Sequence, residues 1–379
     1  MKRIRVGVVG CGLIAQVMHL PHLRELGDRF AVTALCDLSA EALAFAGAQF
    51  PDAARVTAWE EIVAADDVDA VLVLTPGSHA PIAIAAAEAG RHVFAEKPMC
   101  LSIAEGEAML AAADRAGVTL MVGYMKRFDP AYEALAARLD ATGVVAARIT
   151  TLESPIEPYA EHHPHRLGAA DVAPDLLAAL QADDERRVEA ALPAVDDPLL
   201  RRAYRAVLLD SMVHELNGVR GLLGEPDVVR SARIWPGGVT AALGFGAAEV
   251  VFLWVDLPGI ARYEQDWSFY APDLRATLRF PSPLLRNAPT ALVLEGGDPG
   301  TTASWRTEHT VSYAEAFKRE LEAFHAASIG GDPPRTSGED ALRDVLLSQA
   351  IVRSHVEGAP VEAPTALPAA ARPPARSLA

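Results

Sequence analysis

Cysteine is nearly absent: Cys11, Cys36 and Cys100 are the only three in 379 residues. None stands at a metal-type or redox-type spacing from another. That excludes a disulfide framework and a thiolate zinc site, and it fits a reducing compartment in which each thiol is a small apolar residue. Basic charge is also scarce, with 34 Lys and Arg against 50 Asp and Glu and a formal net charge of -16. Without a basic patch to neutralise a phosphate backbone, a nucleic-acid partner is not expected, and the acidity reads as solubility. No apolar run reaches the roughly 18 residues that a spanning helix needs. The N-terminus enters its first strand within a few residues, so a soluble, cytoplasmic protein with no membrane partner is expected.

The rarest charged residue is lysine, found only at positions 2, 97, 126 and 318. Where arginine serves almost every need for positive charge, a retained lysine is a candidate for lysine chemistry, since an ammonium can be tuned and a guanidinium cannot. Chance surface placement is the simpler account of Lys2 and Lys318. What the chain does have is apolar residues, 51% of the total, over a length that suggests two domains of roughly 100 to 200 residues.

Arg5 to Asp37 reads as one βαβ half of a dinucleotide-binding fold. Val6, Val8 and Val9 run into Gly10-Cys11-Gly12-Leu13-Ile14-Ala15, and Gln16 to Leu26 continues as a helix. Gly10 permits a tight turn, Gly12 leaves room for a pyrophosphate, and Ala15 lets the helix lie close to the strand. The free N–H groups of the helix N-terminus face the phosphates. Phe30 to Cys36 forms the next strand and ends in Asp37, about 20 residues on, where a carboxylate can accept both ribose hydroxyls. Its charge would repel a 2′-phosphate, and Leu38-Ser39-Ala40 offers no Arg to receive one, so NAD is preferred over NADP. A glycine-rich turn alone is weak evidence; strand, turn, helix, strand and acid in order are stronger.

The alternation continues. Helices are expected at Glu41–Gln49, Ala58–Ala64, Pro81–Ala89 and Ile103–Ala116, and strands at Ala70–Leu74, His92–Ala95 and Thr119–Val122. This gives an α/β Rossmann domain over 1–124. The rest, 125–359, reads as an α+β domain with a large, mostly antiparallel open sheet. Its strands fall at Val144–Thr151, Val228–Ile234, Val239–Phe245, Glu249–Val255, Asp266–Tyr270, Leu274–Phe280 and Ala291–Glu295. Between the first two lies a long helical stretch, Pro174 to Leu223, and Tyr313–Ile329 and Gly338–Glu357 close the domain. The last residues, 360–379, rich in Ala and Pro, read as a poorly ordered tail or an arm on a neighbouring subunit.

Lys97 falls where a strand opens onto the cofactor crevice, between Glu96 and Pro98. Its position in a lysine-poor chain favours a catalytic donor over a solvated surface lysine. Asp210 and His214 stand at i and i+4, with Asn217 and Ser211 bordering the same polar seam of an otherwise apolar helix, Ala206–Leu223. Burying an acid and an imidazole there would cost several kcal/mol unless they pair. A satisfied core histidine is the bland reading of His214.

Taken together, Gly10 to Ala15, Thr75-Pro76 with His79, Ala95-Glu96-Lys97-Pro98, Tyr124 to Phe128 with Pro130, Asp210 to His214, and Ser337 to Ala341 resemble the glucose-fructose oxidoreductase and inositol 2-dehydrogenase (Gfo/Idh/MocA) family. The matches run in the family's order over most of the chain. The resemblance implies a sugar or cyclitol held between the nicotinamide and the second sheet. Lys97 would bond the reacting oxygen, His214 would be the acid/base, and Asp210 would orient substrate hydroxyls or the imidazole. It implies cofactor contacts from Gly10, Cys11, Gly12, Leu13, Ile14, Asp37, Thr75, Pro76, His79, Glu96, Lys97 and Met125. Substrate contacts would come from Lys97, Tyr124, Arg127, Asp210, Ser211, His214 and Asn217; packing and a salt bridge are the competing roles for Tyr124 and Arg127. A homodimer or homotetramer is also implied.

The chain departs from the family in having Ala206-Val207-Leu208-Leu209 where glycines usually precede the catalytic Asp. A helical insertion over about 159–205 is the second departure, a lid or an oligomer contact. Its His162-His163-Pro164-His165 suits a polar loop better than a metal site, because Pro interrupts the run and no acid sits at ligand spacing. No metal is expected. Gly77-Ser78-His79 is not a hydrolase elbow. Two other activities fit the same residues: a glycosidase that retains NAD and works by transient oxidation and elimination, and a non-catalytic NAD-responsive regulator.

Overall fold

The computed structural model describes residues 2–166, 168–298 and 300–364. The first sheet is all parallel, built from β1 (Ile4–Val9), β2 (Phe30–Cys36), β3 (Ala54–Val56), β4 (Ala70–Val73), β5 (His92–Glu96) and β6 (Leu120–Gly123), in the order β3-β2-β1-β4-β5-β6. Every residue of β4 and β6 is buried, the burial on both faces that helices over each side of a parallel sheet impose. The order reverses between β1 and β4, so the ligand crevice opens at the carboxyl ends of these strands. The short edge strand β3 was not expected, because three partly exposed residues carry no apolar run.

Nine strands form the second sheet: β7 (Ala146–Glu153), β8 (Val228–Trp235), β9 (Gly238–Phe245), β10 (Ala248–Asp256), β11 (Glu264–Tyr270), β12 (Leu274–Phe280), β13 (Ala291–Gly297), β14 (Ser304–Thr310) and β15 (Val361–Glu362). The order is β14-β13-β12-β11-β7-β10-β9-β8-β15, antiparallel except where β7 runs alongside β10. Residues alternate between buried and less buried along β10, as in a sheet with only one face covered. β14 was missed because nearly all its residues are exposed. β15 pairs with β8 near the start of the segment read as a tail; residues 365–379 lie outside the described part.

The long helical stretch is interrupted. Helices Pro174–Ala191 and Pro198–Ala203 are followed by a π-type turn, Tyr204–Leu208, and the helix Val213–Leu223. Asp210 therefore stands in the turn between helical segments and not on the same helix as His214. The Met212 N–H reaches back five residues to the Val207 carbonyl, which is how the chain turns there. Helix Val213–Leu223 lies close on the sheet at Gly218, where any Cβ would run into the Trp267 ring. From the far end of the chain, helix Ala316–Gly330 packs back on the first sheet, burying Leu321 and Phe324 beside Phe94, Met121 and Phe128. Among the described residues no helix is long and apolar enough to cross a membrane.

Candidate active site

The glycine-rich loop has the geometry of a phosphate cradle. Gly10 is at φ +95°, and a Cβ there would lie 2.7 Å from Leu74 C and Thr75 N, so only glycine fits. A Cβ on Gly12 would meet nothing within 4 Å: the space in front of the loop is open, as a pyrophosphate requires. Leu13 and Ile14 are half-buried and pack with Met125, Val17 and Met18. Asp37 accepts the Cys11 N–H at 2.6 Å on one carboxylate oxygen and the Ser39 N–H at 2.8 Å on the other. The acid thus pins the glycine loop as well as standing at the ribose end of the crevice. These residues fit a dinucleotide.

Several residues expected at the cofactor are turned elsewhere. His79 is buried, with Nδ1 2.7 Å from the Pro98 carbonyl oxygen and Nε2 2.6 Å from that of Thr75. It ties the loops after β4 and β5 together, and burial lowers its pKa. Pro76 is exposed at the tip of the first of these loops. Glu96 accepts the Lys97 N–H at 3.0 Å and is hydrogen-bonded to His19 Nε2 at 2.7 Å. Behind it lies the fully buried Glu320, whose carboxyl is raised well above the usual range by burial and by Glu96. Glu96 is therefore a brace beneath the Lys97 loop, in which the Lys97–Pro98 bond is cis.

Lys97 meets the second half of the chain at Asp210. Its ammonium donates to the Asp210 carbonyl oxygen at 2.7 Å and to Oδ1 at 2.8 Å. Burial opposes the charge, but Asp210 and Glu96 overcome it and raise the pKa. His214 follows one turn later. Burial, reinforced by Lys97 and Lys126, holds its pKa well below the usual imidazole range. The ring is neutral, and its buried Nδ1 has no hydrogen-bond partner. Asp210 bonds the lysine, not the imidazole.

Arg127 and Asn217 belong to a different cluster. Arg127 donates to the Asn217 Oδ1 at 3.0 Å, and Asn217 donates to both Asp340 and Asp344 at 2.7 Å. Their polar groups serve packing between helices, so neither is placed as a substrate ligand. The Tyr124 ring stands edge-on to His214 at 6.3 Å, while its phenol lies close to the Asp340 and Asp344 carboxyls; burial, together with these acids, raises its pKa. It supplies a wall to the imidazole, not a hydroxyl to substrate. Ser211 is held between Trp254 Nε1 at 2.9 Å and Glu153 Oε2 at 3.1 Å. In the histidine-rich loop, His163 Nε2 lies 2.7 Å from the Leu284 carbonyl oxygen and His165 Nδ1 2.8 Å from that of His163, while His162 is exposed.

Lys126 is the functional candidate not placed from sequence. It is buried, with Nζ 3.5 Å from the Tyr263 hydroxyl and 4.7 Å from the centroid of Phe280. Burial brings its pKa down to about 8, against the pull of Glu215 and Glu153. The scarcity of lysine that singled out Lys97 applies equally to this residue. Glu153, at the end of β7, and Tyr263, just before β11, carry no comparable sequence signal.

An open dinucleotide cradle at a sheet switch point, facing a lysine, an acid and a neutral imidazole, defines an oxidoreductase of the nicotinamide-dependent class. Residues 4–124 match the model of the oxidoreductase family with an NAD-binding Rossmann fold, and relatives match over most of the remaining length. That family is Gfo/Idh/MocA, and the full-length relatives, inositol 2-dehydrogenases at 25–28% identity, extend the likeness over more than nine-tenths of the chain. It is 28% identical to inositol 2-dehydrogenase 2 of Paenarthrobacter aurescens, covering 94% of this chain and 97% of that one. It is 25% identical to myo-inositol 2-dehydrogenase of Thermotoga maritima, over 93% of this chain and 96% of that one. The solved levoglucosan dehydrogenase in complex with NADH and L-sorbose shares the fold, with a TM-score of 0.74 at 18% identity over 97% of this chain and all of that one.

Proposed function

We propose that this oxidoreductase transfers hydride between NAD and a secondary hydroxyl or ketone of a sugar, a sugar derivative or a cyclitol. The observation that carries the reading is the meeting of Lys97, from the cofactor domain, with Asp210 and a neutral His214. The nicotinamide supplies the hydride acceptor at carbon. The protein's own residues handle the proton. Lys97, held by Asp210, donates to the reacting oxygen; His214, kept unprotonated by burial and two ammonium groups, accepts the hydroxyl proton in oxidation and returns it in reduction. Lys126, Tyr263 and Glu153 offer further polar groups for a polyhydroxylated substrate. Relatives that are inositol dehydrogenases support the substrate class. Nicotinamide absorbance on a panel of sugars, glycosides and inositols tests it; no turnover on any of them, with NAD bound, would overturn it.

The lowered imidazole pKa fixes the sign of one pH effect. A base whose pKa lies below the free value stays ready at lower pH, so the acid limb of kcat/KM for oxidation should fall below about pH 6.5, the ordinary histidine value. Lys126→Met removes one of the cations that depress His214 and should move that limb upward. A pH profile of both proteins checks this.

The cofactor preference is tested at Asp37. Asp37→Ala should weaken NAD binding by about 10- to 100-fold, the range of a lost charge-assisted hydrogen bond, and narrow the gap to NADP. Fluorescence titration with both reduced nucleotides reads it out. A homo-oligomer completes the proposal, supported by large apolar side chains left exposed on the second sheet at Trp235, Val251 and Trp305.

A further inference from the structure

The segment between β7 and the catalytic turn runs along the rim of the dinucleotide crevice. At one end the buried Gln16, on the turn after the glycine loop, donates to the Cys11 carbonyl at 2.6 Å and to the Arg166 carbonyl at 2.8 Å. It also accepts the Arg166 N–H at 2.7 Å. The Arg166 guanidinium lies 6.0 Å from the centroid of Phe45, on the helix that follows Asp37. Next, Asp171 accepts the Glu41 N–H at 3.0 Å, at the start of the helix that follows Asp37 and the adenosine-ribose end of the crevice. Further on, Asp184 accepts the Ser78 N–H at 3.3 Å and lies so close over Gly77 that a Cβ there would clash with it. Arg187 then pairs with Glu105, which also accepts the Ser78 hydroxyl at 2.6 Å. The segment is thus fastened to the loops after β1, β2 and β4 and to the helix after β5, and the chain beyond it leads to Asp210 on Lys97.

We propose that Arg166 and the segment from Asp171 to Arg187 form a nucleotide-retaining clamp, fastened by Gln16, Asp171, Asp184 and Arg187 across the loops that hold a dinucleotide. A nucleotide seated before Gly12 lies between the glycine loop and the clamp and leaves only when these contacts open. Binding and release are therefore both slow, and the contacts set the rate without touching the reacting atoms. The inference rests on the reading of this crevice as the dinucleotide site.

The test is release of NADH, followed by the loss of its protein-enhanced fluorescence on mixing with excess NAD, in the wild-type chain and in the double variant Asp171→Ala/Asp184→Ala. Release at least ten-fold faster in the variant is expected. Equal release rates overturn the clamp while leaving the dinucleotide site standing; failure of the wild type to bind NADH overturns the site itself. Tighter binding in the variant at an unchanged release rate also overturns the clamp and makes the segment an obstruction. Hydrogen exchange on the wild type decides the matter if the variant misfolds: NADH should slow exchange across residues 171–187, and unchanged exchange there counts against the clamp.

Discussion

His214→Ala is expected to lower kcat by about two to four powers of ten in both directions, the usual contribution of a positioned acid/base, while NADH still binds. The ring is half-buried, flanked by two ammonium groups that hold it unprotonated, and walled by Tyr124. Two other buried imidazoles are engaged elsewhere: His19 is bonded to Glu96 and His79 spans two backbone carbonyls. Lys97→Met should produce a comparable loss with a different signature. Without the ammonium, His214 loses a depressing charge, so the residual activity should show its acid limb at higher pH than in the wild type. Rate measurements with saturating NAD and the best polyol of the panel separate the two effects. Unchanged kcat in both variants would remove these residues from the chemistry.

The first sheet was legible in the sequence because most of its strands are largely apolar and close at a turn or an acid. Four of its six strands have bounds within one residue of those expected, and β3 was missed for want of apolar residues. The meeting of Lys97, Asp210 and His214, the proposed catalytic trio, was legible through residue type: a rare lysine at a strand end, and an acid four residues before a histidine. The path between that acid and histidine was not, since a π-type turn differs from an α-helix by a single hydrogen-bond offset that periodicity does not register. Nor could spacing tell that Arg127 and Asn217 face away from the pocket. Their partners Asp340 and Asp344 lie more than a hundred residues further along, on a helix whose docking only the tertiary structure supplies.

That docking carries the second large effect. Arg220→Met should destabilise the protein by about 3–5 kcal/mol, the range for removing one partner of a buried ion pair. The Arg220 side chain is 1% exposed and donates to Glu225, Asp340 and Asp344, the last of these 0% exposed. Methionine fills much of the volume but leaves Asp344 without its cation. Burial already pushes the Asp344 carboxyl up to about 6, against the pull of Arg220. An acid whose folded pKa exceeds its unfolded value of about 3.9 favours folding at low pH and loses that contribution as pH rises through the folded value. In the variant the carboxyl moves further up, so the gap in Tm from the wild type should be small at pH 5 and widen by pH 8. Adding Asp344→Leu should restore most of the stability, because no buried charge is then stranded. Activity should recover less than stability does. The Tyr124 phenol lies close to Asp344 while its ring walls His214, so the double variant folds with its imidazole less firmly set. A restored Tm with kcat still reduced would establish that this buried network positions His214, the proposed acid/base; full recovery of both would confine it to holding two helices together.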